Sequence, residues 1–105
     1  MDLIKVSSTS RTSAVAGAIA GIVRQHQRAK VQAIGAGAVN QAVKALILAT
    51  GYLRLDGIQV SFVPEFADVT IEDKVRTAIK FVVEQAHASN ISTAVSGPDQ
   101  VESGS

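Results

Sequence analysis

The side chains of a type that could serve as a base near neutral pH are two histidines, His26 and His87. His26 continues an apolar helical stripe and reads as a core-edge residue near a helix end, while His87 falls where regular patterning stops. No serine-histidine-aspartate or paired-carboxylate set can be placed on adjacent elements, and two histidines so far apart lack metal-ligand spacing. There is no cysteine, which removes thiolate chemistry, disulfides and cysteine-based metal sites and fits a reducing compartment. The expectation is a protein that is not an enzyme and holds neither metal nor cofactor.

Two other kinds of chemistry are open to these residues. Gly35-Ala36-Gly37 stands before a helix, where exposed amide protons could meet an anion. It lacks the third glycine of a dinucleotide fingerprint, lacks the Gly-Lys-Ser/Thr of a phosphate loop, and is followed by no acidic residue closing a strand at the required distance. Tight strand-to-helix packing is the simpler reason for these glycines; a small-ligand sensor is the other. The second chemistry is phosphate contact by cations: Arg11 in the hydroxyl-rich loop SSTSRTS, Lys44 on the outer face of a helix, and Lys74 and Arg76 in a charged hairpin. Each alone is an ordinary surface cation, but a dimer would double them into a longer track. A formal charge of +1 and a pI near 8.1 supply no strong field, so bulk charge argues neither way. The aromatic residues are Tyr52, Phe62, Phe66 and Phe81, and the phenylalanines read as core or near-core, so backbone contact is expected over base stacking.

The elements that must position these residues follow from the apolar period. With 105 residues and a 47% hydrophobic share, one domain with one core is expected. Leu3, Ile4 and Val6 mark a short strand. A helix is predicted from Ala14 to about Gln27, capped by Thr12 or Ser13, with Val15, Ile19, Ile22, Val23 and His26 on one face and Gly17, Ala20, Gly21, Arg24 and Arg28 opposite. Gly17 and Gly21 lie on one side of that helix, so another backbone or a ligand comes close, or they pack tightly within the monomer, or they are merely tolerated.

The stretch Val31 to Leu53 reads as a strand that turns through Gly35 and Gly37 into a helix stopped by Gly51. Val39, Val43, Leu46, Ile47 and Thr50 form its predicted core face. Asn40, Gln41 and Lys44, with Ala45 and Leu48 beside them, form an outer strip free to meet a partner. Ile58, Val60 and Phe62 make a third strand that Pro64 breaks. A hairpin with a long turn around Glu72, Asp73 and Lys74 then leads into a last strand through Ile79, Phe81 and Val83. The hairpin arms carry Val69, Ile71 and Val75 beyond the core, and a second subunit is the simplest cover for them.

The order strand, helix, strand, helix, strand, strand predicts an α/β two-layer sandwich with a mixed four-stranded sheet and both helices on one face. Residues 1–86 form the domain and 87–105 a flexible C-terminal tail. The opening residues lack a signal-peptide pattern and Arg24 interrupts the longest apolar helix, so a cytoplasmic protein without a membrane segment is expected.

The segments KVSSTSRTSAVAGAIAG from Lys5, VQAIGAGAVNQAVKALILATGYL from Val31 and FVPEFADV from Phe62 resemble the stage V sporulation protein S family. The similarity covers about Leu3 to Glu84, with AIGAGAVNQAVKA as its specific block. That family is in turn similar to the Alba-like fold shared with the C-terminal domain of translation initiation factor three. The resemblance implies a dimeric α/β domain with a nucleic-acid role linked to sporulation and septum development. Alba proteins carry adjacent lysines where this chain has Ser8 and Thr9, basic residues where it has Gly37, and a lysine where it has Gln41. The resulting expectation is a homodimer or higher homo-oligomer that contacts the DNA or RNA backbone through Arg11, Lys44, Lys74 and Arg76. The rival is a self-associating interaction module in cell division or development, built on Gly17, Gly21, Gln41, Leu48, Val69, Ile71 and Val75.

Overall fold

Alternating side chains set the strands, and their parity sets the layers. The computed structural model describes residues 3–86, and the predicted tail falls outside them. The elements run β1 (Leu3–Val6), α1 (Thr12–His26), β2 (Arg28–Ala33), α2 (Ala36–Leu55), β3 (Val60–Ile71) and β4 (Lys74–Gln85). Sheet order is β1-β2-β4-β3, with β1 parallel to β2 and the other neighbours antiparallel. Ile4, Val6, Ala29, Val31, Ala33, Ile79, Phe81 and Val83 share one parity and join the helices in a single core. The expected α/β sandwich with both helices on one sheet face is therefore what the chain forms. No helix among the described residues is long and apolar enough to cross a membrane.

Several boundaries differ from expectation. Helix α1 starts at Thr12 with Arg11 at its N-cap position and no side-chain cap bond, so neither Thr12 nor Ser13 caps it. It ends where Gln27 turns left-handed and donates its N–H to the Val23 carbonyl, which releases Arg28 into β2. His26 is exposed in the last turn rather than at the edge of the core. Gly51 lies inside α2 and does not stop it; the helix continues to Leu55. Pro64 does not break its strand, because β3 is an edge strand bonded only to β4 and needs no N–H on its free side. Lys74 opens β4, and the turn before it is a tight two-residue one, Glu72 and Asp73, both left-handed at φ 50 and 64.

The expected core face of α1 holds except that His26 is exposed and Ala20 is buried, whereas that of α2 differs in part. In α2 Leu46 is buried, Val39 packs against the core and Leu48 is exposed, as expected, but Ala45, expected on the outer strip, is buried with Ala38, Ala42, Ala49 and Leu53, while Val43 is exposed and Ile47 is 62% exposed. In α1 the core positions are Ala16, Ile19, Ala20 and Val23, with Val15 and Ile22 flanking the core. Alanines line both helices beside a few large buried residues, Ile19, Val23, Leu46 and Leu53, which lets the helices approach each other and the sheet closely.

Candidate functional site

The carboxyl ends of a parallel strand pair are where α/β sheets present their ligands. Here a groove of about 570 Å³ opens at the ends of β1 and β2. One wall is the loop after β1, with Ser7 and Ser8; the floor carries Lys5, Gln32 and Gly35; the other wall is the β3 arm at Val69 and Ile71. The hairpin of β3 and β4 projects past the end of β2, since Ala33 pairs with Ile79 and the ladder between the arms continues to Ile71 and Lys74.

The loop wall is built by its own hydroxyls. Ser7 N–H donates to Ser10 Oγ at 2.9 Å, Thr9 N–H donates to Ser7 Oγ at 3.3 Å, and Ser10 N–H donates to the Ser7 carbonyl at 3.1 Å. Gln41 fastens this loop to α2: its Nε2 donates to the Ser10 carbonyl at 2.8 Å and reaches Thr12 Oγ1 at 3.3 Å. Gln41 is thus half-buried and engaged within the chain. Gly37 is dictated by the same packing, because a Cβ there would lie 2.9 Å from Ser8 Cβ, and Gly35 by its left-sided φ of 92. Positive φ at Gly35 and close approach at Gly37 account for the two glycines of this turn.

None of the four predicted cations lines this groove. Arg11 follows the loop, and Lys44 borders a shallow hollow with Thr12, Ile47 and Leu48. Lys74 and Arg76 sit two residues apart on β4, opposite Ile71 and Val69. All four are exposed, and none has a carboxylate within 4.0 Å among the described residues. By contrast, Arg24 is tied to Asp56 at 2.7 Å, joining the ends of α1 and α2. Lys5, on the groove floor, was missed as a site residue; its signal was its place opposite the parity of Ile4 and Val6.

The predicted interface set divides. Gly17 is exposed and Gly21 half-buried, and a Cβ at either meets nothing within 4 Å, so tight packing inside the monomer does not account for them. Val69 and Ile71 face one side of the hairpin and line the groove, whereas Val75 has the opposite parity. Val75 shares its side with Phe62, Pro64, Phe66 and Ile79; Ile79 packs against the core, while Phe66 and Val75 lie exposed beyond the described helices. Phe66, read as near-core, is 78% exposed there, and Val75 is 67% exposed. Leu48, beside Val43 and Ile47, belongs to a separate apolar stripe on the outside of α2. Residues 2–86 match the family model described as Stage V sporulation protein S, and the chain belongs to that family of sporulation-related proteins.

Proposed function

We propose that this protein binds nucleic acid through backbone contacts and acts as a homodimeric regulator in sporulation or septation. The observation that carries the reading is a set of four exposed cations, Arg11 at the start of α1, Lys44 on α2, and Lys74 with Arg76 two residues apart on the hairpin, none with a carboxylate within 4.0 Å among the described residues. The Alba-like resemblance supports the same assignment. Unpaired exposed cations release counterions from the polyanion on contact, so the affinity is set by salt. The test is fluorescence anisotropy with labelled DNA and RNA across a salt series. Steeply falling affinity, with a shallower slope for Lys74→Ala/Arg76→Ala, supports it; no binding at low salt overturns it.

Self-association is the companion reading, favoured by the uncovered apolar side of the hairpin around Phe62, Phe66 and Val75. Sedimentation of Phe66→Ser against the parent chain tests it, and an unchanged mass overturns it.

A further inference from the structure

We propose that the bare face of the sheet is a docking surface for the backbone of a double-stranded nucleic acid, with Lys5 and Lys30 acting beside Lys74 and Arg76. This rests on the nucleic-acid reading above and names its ligand class and its surface. Strand pairing puts opposed residues on one face, so the rows can be written directly. Lys5, Gln32, Lys80 and Glu65 form one row, Leu3, Lys30, Val82 and Val63 the next, and Arg28, Glu84 and Ser61 a third. Along the projecting hairpin the same parity continues through Ala78, which its neighbours bury, to the exposed Arg76 and Lys74. All of these lie opposite the parity of the buried strand residues that face the helices.

Six of the ten lysines and arginines therefore stand on this one face: Lys5, Arg28, Lys30, Lys74, Arg76 and Lys80. Its two carboxylates are each engaged, Glu84 with Arg28 at 3.6 Å and Glu65 with Lys80 at 3.7 Å. Lys5, Lys30, Lys74 and Arg76 are left without an acidic partner among the described residues. The near-zero net charge of the chain hides this sidedness.

The dimensions suit a duplex. At about 3.4 Å per residue, the row of Lys74 and the row of Lys30 are about 27 Å apart along β4, and β1 lies about 10 Å from β4 across the sheet. Such a pad is shorter than one turn of duplex, about 34 Å, and wide enough to meet phosphates along one side of it. Base stacking has no platform here: Phe62, Phe66 and Phe81 have the opposite parity and Tyr52 is on α2. That favours the regular phosphate array of a duplex over the splayed bases of a single strand. A second copy docked face to face is disfavoured, because it would set like charges against each other.

The experiment uses the full chain with labelled duplex DNA, duplex RNA and the matching single strands, each titrated over salt. The proposal expects duplex to bind more tightly than single strand, and Lys5→Ala/Lys30→Ala to make the log-log salt slope shallower by about 1.8, two phosphate contacts at about 0.9 each. Lys5→Arg/Lys30→Arg, which keeps both charges, is expected to keep the slope, separating lost contacts from damaged folding. Parent-like slopes in Lys5→Ala/Lys30→Ala, with loss in Lys74→Ala/Arg76→Ala, would overturn the sheet-face proposal and leave the nucleic-acid reading standing. Tighter binding to single strands would overturn the duplex assignment. Absence of binding by the parent chain to every probe would overturn the reading beneath both.

Discussion

Replacing Gly17 and Gly21 together by alanine asks whether the smooth side of α1 serves the monomer or a partner. Both glycines lie inside α1, and a methyl group at either position meets no atom within 4 Å. The substitution therefore introduces no clash and removes the backbone freedom that glycine retains in the unfolded chain. Glycine in a helix interior costs about 0.8 to 1 kcal/mol against alanine, so the double variant is expected to gain about 2 kcal/mol. For a domain of this size that corresponds to a rise in Tm of about 8 to 16 °C. The assay is thermal unfolding by circular dichroism at several protein concentrations, beside sedimentation. Where chains are dissociated, the gain must appear in full; a lower Tm there would refute the claim that these positions face open space. If a partner backbone packs against this side, the same variant loses its concentration-dependent stabilisation even as the isolated chain becomes more stable. The two readings therefore move different observables.

Gly37→Ala is expected to act in the opposite direction, costing about 1 to 3 kcal/mol, because its Cβ would press on Ser8 Cβ at 2.9 Å and force the loop or the helix start to shift; urea unfolding gives the sign. Replacing Glu72-Asp73 by Asn-Gly relieves two left-handed non-glycine residues and is expected to stabilise the hairpin by about 1 to 2 kcal/mol, visible as slower amide exchange along β3 and β4. Gln41→Leu removes the two hydrogen bonds to Ser10 and Thr12 and is expected to cost about 1 to 3 kcal/mol, with faster exchange confined to the loop that carries Arg11. Leu53→Ala, at a fully buried site on α2, is expected to cost about 2 to 5 kcal/mol, measured by the same denaturant titration.

Element order and layer assignment were legible because they depend on local period: alternation in Val31 and Ala33 or Phe81 and Val83, and helical spacing at Ile19 and Val23. The buried side of α2 was legible only in part, because side-chain size does not mark it: Leu46 and Leu53 are buried there together with Ala38, Ala42, Ala45 and Ala49, while the larger Val43 and Ile47 face outward. Pro64 was misread for a different reason. Whether proline is compatible with a strand depends on whether that strand is at an edge, and the order β1-β2-β4-β3 is a property of the whole sheet. The cations followed the same division. Arg11, Lys44, Lys74 and Arg76 stand exposed as expected, but Lys5 and Lys30 become neighbours of a common surface only once β1 is set beside β2 and β2 beside β4.

Nucleic-acid contact and self-association need not compete for surface, and the period-two geometry of the hairpin is the reason. Lys74 and Arg76 point to the bare side of the sheet, while Val75, Phe66 and Phe62 point to the other. A second chain covering Phe62, Phe66 and Val75 leaves the cation rows of both protomers uncovered, so association adds phosphate contacts instead of hiding them. Each protomer then contributes its own counterion release, and the salt dependence of the dimer exceeds that of the monomer. Phe66→Ser separates these terms: it leaves every cation in place, so a dissociated variant should keep the per-chain contacts and lose only the steeper dependence that comes from two chains acting together. A variant that dissociates yet retains the full dimer slope would show that the two faces act independently, and the regulatory unit would then be the single chain.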